Sequence, residues 1–141
     1  MKLTGTKALV ERLQGGKWVK QISDAEKATN QAELDKAEQA LKAAKTDDDK
    51  RAAKARKITV EDVAFTWTEF TPKKRVTRAP PARLVVERPY EVTKSEGNVI
   101  TLRVWDQINP QGGFETYTFL DDNTVKLVQG TSDKFETLAR K

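Results

Sequence analysis

From Tyr90 onward the chain alternates apolar and polar positions in short runs, each closed by a turn signal: Gly97-Asn98, Asn109 to Gly113, Asp121-Asp122-Asn123, and Gly130 to Asp133. Alternation with period two sends successive side chains to opposite sheet faces, while Gly, Asn and Asp supply turn backbone, so the pattern predicts an antiparallel meander. Val99 to Asp106 sets Ile100, Leu102 and Val104 opposite Thr101, Arg103 and Trp105, the last being the tryptophan expected to be most exposed. Phe114 to Leu120 puts Tyr117 and Phe119 together, Thr124 to Gln129 adds Val125 and Leu127, and Phe135 to Arg140 forms a last strand. Upstream, Lys17 to Ile22 is a short first strand. Ile58 to Thr71 alternates Val63, Phe65 and Trp67 against Asp62, Ala64, Thr66 and Thr68, and Pro72 ends it. Arg83 to Arg88 predicts a further strand; Pro89 interrupts it as an edge or bulge, and Tyr90 to Thr93 continues it.

Two stretches carry helical signals instead. Thr4-Gly5-Thr6 is placed to cap a helix through Leu13, with Leu9, Val10 and Leu13 on one face and Gly15 beyond its end. From Asp24 to about Lys57 the chain is Ala, Lys, Glu, Asp and Gln, with helpful i to i+4 pairs such as Glu38 with Lys42. Thr46 followed by Asp49 resembles a capping box, which predicts a break there and a helical hairpin; the alternative is one helix running through the Asp run. The stripe Ala28, Leu34, Ala37, Leu41 and Ala44 packs either a solvated hairpin or a weak homodimer, since small side chains bury little apolar area.

The seven or eight strands follow one another in sequence, which predicts a mainly β chain (α+β by content). The expected architecture is an antiparallel up-and-down barrel or a strongly curled sheet, with the helical hairpin of 24–57 inserted after the first strand. The 141 residues suffice for a single domain, 1–141, although only 37% are hydrophobic. If the barrel encloses a cavity, Trp18, Phe65, Trp67, Leu102, Tyr117 and Phe119 are the residues expected to line it; otherwise they fill it as core.

Composition narrows the chemistry. The chain has neither cysteine nor histidine, which removes thiol nucleophiles, disulfides, Cys- or His-bound metals and the commonest general base. Glu61 and Asp62 fall on opposite faces of the expected strand and cannot work as a pair. Asp121-Asp122-Asn123 reads as a turn, since calcium needs six to eight oxygens. A non-enzyme without cofactor or metal is expected. No apolar run reaches the roughly 20 residues of a membrane helix, and residues 1–15 lack a secretory signal.

The formal charge of +5 has one address: residues 73–88 hold Lys73, Lys74, Arg75, Arg78, Arg83 and Arg88 against the single acid Glu87. Read as a Pro-stiffened loop, this segment offers Lys73, Lys74, Arg75, Arg78 and Arg83 to an anionic partner such as phosphate, lipid head groups or an acidic surface. A nucleic-acid site is disfavoured, because no aromatic is interleaved with those cations.

Leu13-Gln14-Gly15-Gly16-Lys17-Trp18, a short helix leading into a Gly-x-Trp-like first strand, is similar to the opening of lipocalin-like domains. Tyr90-Glu91-Val92, Gly97 to Leu102, Tyr117 to Val128 and Leu138 to Lys141 resemble the hairpins of small bacterial lipocalin-like proteins. The extra glycine before Trp18 and the helical insert depart from that pattern. The resemblance implies a role in holding a small apolar ligand or in the cell envelope, periplasmic or secreted with the signal removed. It carries over no catalytic residue. The alternatives are an anion- or nucleic-acid-binding adaptor using 73–88, and an oligomeric scaffold built on the Ala-rich helices.

Overall fold

The computed structural model of the chain describes residues 6–106, 111–131 and 133–141. The expected Thr4-Gly5-Thr6 cap and the turns at Asn109 to Gly113 and Gly130 to Asp133 lie wholly or partly outside them. In order, the elements are α1 (Thr6–Gln14), β1 (Trp18–Lys20), α2 (Asp24–Ala43), α3 (Asp47–Ala64), β2 (Trp67–Phe70), β3 (Lys74–Ala79), β4 (Arg83–Glu96), β5 (Val99–Val104), β6 (Gly113–Asp121), β7 (Thr124–Gln129) and β8 (Glu136–Arg140). The eight strands form a closed barrel in sequence order, completed where β1 pairs antiparallel with β8 through Trp18 opposite Arg140. Closure satisfies the strand edges that an open curled sheet would leave exposed.

The chain falls into two compact units. One comprises Met1–Gln21, Trp67–Thr77 and Leu84–Lys141; the other comprises Ile22–Thr66 and Arg78–Arg83.

In the first unit the alternation seen in the sequence sets the inner face. β5 and β6 face each other with Ile100 opposite Tyr117 and Leu102 opposite Glu115; β6 and β7 align Tyr117 with Leu127 and Phe119 with Val125. The apolar ones among these inward residues join Leu9, Leu13, Trp18, Phe70, Tyr90 and Leu138 in one core cluster. Aromatic rings meet edge to face, Phe70 lying 5.6 Å from both Tyr90 and Tyr117, and Trp18 6.2 Å from Phe119. The Trp18 indole donates to Leu13 O at 2.7 Å, so α1 is tied to the residue that opens β1. α1 covers the barrel end that holds the β2–β3 and β6–β7 turns. Gln14 donates to Tyr90 Oη and Thr71 O, and Arg12 donates to Asp122 O and Asn123 Oδ1.

In the second unit Ser23 Oγ accepts from Glu26 N and Thr46 Oγ1 from Asp49 N, each at 3.1 Å, so both helices carry side-chain N-caps. The break expected at Thr46 is present, and the two helices pack as a hairpin. Ala37 and Ala53 are buried, Leu34, Leu41 and Ala44 half-buried, and Ala28 exposed. Ion pairs Arg56–Glu33 (3.6 Å) and Lys57–Glu38 (3.8 Å) flank the seam.

Three expectations are corrected. Ile58–Ala64 is helical rather than extended: α3 continues from its cap, leaving Val63 exposed while Val60, Glu61 and Ala64 are partly buried. Tertiary packing on a 3.6-residue period has overridden the alternation read through Val63, Phe65 and Trp67. The supposed basic loop is strand β3, in which Lys74 bonds Glu87 of β4 at 2.8 Å. And β4 runs unbroken through Pro89, whose carbonyl accepts from Trp105 N at 3.0 Å; the register shift falls at Val92–Lys94. Proline lacks only the donor, so its acceptor still serves the ladder.

Candidate functional site

One position in the inward set of β6 is a carboxylate. Glu115, Tyr117 and Phe119 all point inward, yet Glu115 is as buried as its apolar neighbours, at 6% exposure. Its partners explain how a charge is tolerated there. Arg75 Nη1 approaches Glu115 Oε2 to 2.6 Å, the Tyr117 hydroxyl donates to Oε1 at 2.8 Å, and Gln129 Nε2 donates to Oε2 at 3.2 Å. Arg75 is on β3 and Glu115 on β6, with two strands between them in barrel order, so the pair spans the interior. A buried carboxylate with three donors is a satisfied group. Burial and then the adjacent Glu115 carboxylate push the Tyr117 phenol well above its ordinary pKa, with Arg75 opposing.

Glu115 and Gln129 also form the inner wall of a cleft of about 240 Å³, bounded by Arg88, Val104, Asp106, Gly113, Phe114 and Gly130. It lies where β5 ends, β6 begins and β7 ends, at the opposite end of the barrel from α1. Gly130 leaves β7 with φ of +61°, a conformation glycine adopts without strain, and its amide donates to Phe114 O at 2.7 Å. The Phe114 ring is half-exposed at the rim. Arg88 Nη1 is 3.7 Å from Asp106 Oδ2, beyond hydrogen-bond reach, and Arg88 Nε is shut from solvent without an acceptor.

The residues expected to line a cavity are placed as follows. Trp18, Leu102, Tyr117 and Phe119 are together in the core cluster, while Phe65 is the C-cap of α3 in the second unit. Trp67 begins β2, half-buried, with Lys17 Nζ 4.9 Å from its ring centre and its indole nitrogen buried without a partner. Leu102, Ile100 and Val125 have no accessible surface and Trp18 and Tyr117 only 1%, so no water-sized space touches them from inside or outside. Among the aromatics, Trp105 is half-buried beneath Arg103, whose guanidinium carbon is 5.0 Å from its ring centre; Phe114 and Phe135 are the exposed rings.

The expected anion site is spread over both units. Lys74 pairs with Glu87, Arg75 with Glu115, and Arg83 with Asp62 at 2.6 Å, while Arg78 donates to Ala82 O at 3.1 Å. Lys73 is exposed on the β2–β3 turn. Four of the five side chains therefore already have acceptors, two of them acids outside the segment, Glu115 and Asp62.

Sequence reasoning did not single out Glu115, Gln129 or Asp106, and counted Arg88 only as charge. The available signal was Glu115 itself, which is in phase with Tyr117 and Phe119 and so had to be an inward carboxylate needing a cation.

No family model, curated protein or solved structure matches this chain. No described helix is long and apolar enough to cross a membrane, and no acidic cluster among the described residues is arranged to hold a metal ion.

Proposed function

We propose that this protein is a non-catalytic, lipocalin-like binding protein whose ligand sits in the polar mouth of the barrel rather than among the core aromatics. The observation that carries this reading is the cleft of about 240 Å³ built on a buried, fully bonded Glu115. Small-molecule sites are concave, few, and contain a small number of fixed polar groups, and here Arg75 and Tyr117 hold the inner wall rigid. A ligand entering between Trp18 and Tyr117 would have to separate side chains that leave no space for a water.

Gly113 lines the cleft, and a β-carbon there would meet nothing within 4 Å. Gly113→Leu therefore adds apolar bulk to the cleft wall, and an unchanged urea midpoint checks that the fold is kept. In a thermal-shift screen of small polar compounds, hits that stabilise the wild type are expected to lose their effect on Gly113→Leu. Compounds that stabilise both proteins equally would contradict a seat at the mouth.

A further inference from the structure

The outer face of β5 to β8 has a composition unlike the rest of the chain. Taken at every second residue from Val99, Phe114, Thr124 and Thr137, its outward positions are mostly threonine and small apolar residues. No carboxylate stands among them, although the chain holds 21 acids. Both charges on the face are positive, Arg103 and Lys126. Register sets Arg103 opposite Phe114, and Lys126 opposite Thr118 on one side and Thr137 on the other. Glu136 is out of phase with this face and is held by Lys20 at 3.5 Å. Two aromatic rings stand here in water: Phe114 on β6 is 52% exposed and Phe135, just before β8, is 58% exposed. Lys126, on the strand between them, has Nζ 4.5 Å from the Phe135 ring centre, and no described acid pairs with it.

We propose that the outer face of β5 to β8 binds single-stranded nucleic acid, with bases stacked on Phe114 and Phe135 and a phosphate on Lys126 and the threonine hydroxyls. Bases need exposed rings, while phosphates need cations and hydroxyls without a repelling acid beside them. The cations of 73–88 have no rings among them; this face has both. A second copy fits worse, since a two-fold contact would set the face against itself, cation to cation with no acid to answer. An acidic protein surface would turn its carboxylates towards the negative faces of the rings. The proposal is independent of what occupies the mouth.

Because Phe114 also rims the cleft, the test rests on Phe135 and Lys126. Fluorescence anisotropy would follow a labelled oligothymidylate of about 12 nucleotides, within the usual site size. The wild type should bind it with an affinity that falls as salt rises. Phe135→Ala should lose at least about fivefold, and Phe135→Tyr should retain binding, because a ring is restored. Lys126→Gln should lower the slope of log affinity against log salt by about 0.7. Lys73→Gln, on the β2–β3 turn, should change little. Binding that survives Phe135→Ala undiminished, or that inorganic polyphosphate displaces as well as the unlabelled strand does, overturns the proposal in favour of simple polyanion attraction. A greater loss in Lys73→Gln than in Phe135→Ala moves the contact to 73–88 and also overturns it. So does absence of binding, and so does a dimer in sedimentation that Phe135→Ala dissolves, which would assign the face to a second copy.

Discussion

Arg75 and Glu115 meet at 2.6 Å although they stand on β3 and β6, and the side chains are only 13% and 7% exposed. The pair crosses the barrel interior and divides it: on one side lies the apolar core from Trp18 to Tyr117, on the other the polar mouth. An ion pair removed from water is costly to assemble and more costly to halve, because the remaining charge has nowhere to go.

Glu115→Ala is therefore expected to destabilise the protein by about 3–5 kcal/mol in urea unfolding, while the double change Arg75→Met with Glu115→Leu is expected to lie near the wild type. Equal losses for the single and double variants would show that the loss does not come from leaving one buried charge unpaired.

The two tyrosines, Tyr90 and Tyr117, are the only ones in the chain. Burial raises both phenol pKa values, partly offset at Tyr90 by the bond from Gln14. A folded pKa above the unfolded value means that the neutral phenol is favoured by the fold. Its stabilisation is complete below about pH 10 and is lost as pH climbs above the unfolded value towards the folded one. Alkaline absorbance titration should show no normal tyrosine in the native protein, two in urea, and unfolding brought on by rising pH. Two normal phenols in the folded protein would contradict the sealed position of Tyr117.

A β-carbon on Gly16 would overlap Cγ and Cδ of Arg140, whose Nη2 donates to Asn123 Oδ1 at 3.0 Å. Gly16→Ala should cost about 1–3 kcal/mol in the wild type and much less in an Arg140→Ala background. Additive losses in that double-mutant cycle would remove the steric explanation.

In the hairpin, Ala37 is fully buried and Ala28 exposed. Ala37→Leu should cost about 1–3 kcal/mol by overpacking the seam. Ala28→Leu should stay within about 0.5 kcal/mol, as read from helix melting by circular dichroism. A larger loss at Ala28 would mean that a further surface covers it.

Much of the barrel was legible because β5, β6 and β7 obey the two-residue period and end at Gly, Asn and Asp turns. The cap at Thr46 was legible because a single hydroxyl and its offset decide it. Ile58–Ala64 was not, since the alternation of Val63, Phe65 and Trp67 extends the strand signal backwards while packing over a whole helix decides the outcome. β3 was not, because its charges looked solvated until Glu115 and Glu87 supplied partners from other strands. The mouth was hidden for the same reason. Arg88, Asp106, Glu115 and Gln129 are far apart in sequence, and only barrel closure and register bring them to one end.

The most direct test is chemical-shift mapping of the labelled protein, titrated separately with a polar compound that stabilises it in the thermal-shift screen and with laurate. The account predicts that the polar compound moves the amides of Gly113, Glu115, Gln129 and Gly130, and that laurate leaves the Trp18 indole and the Leu102 methyl groups unmoved. Laurate shifting Trp18 and Leu102, with the mouth amides silent, would contradict it and place the ligand among the core aromatics.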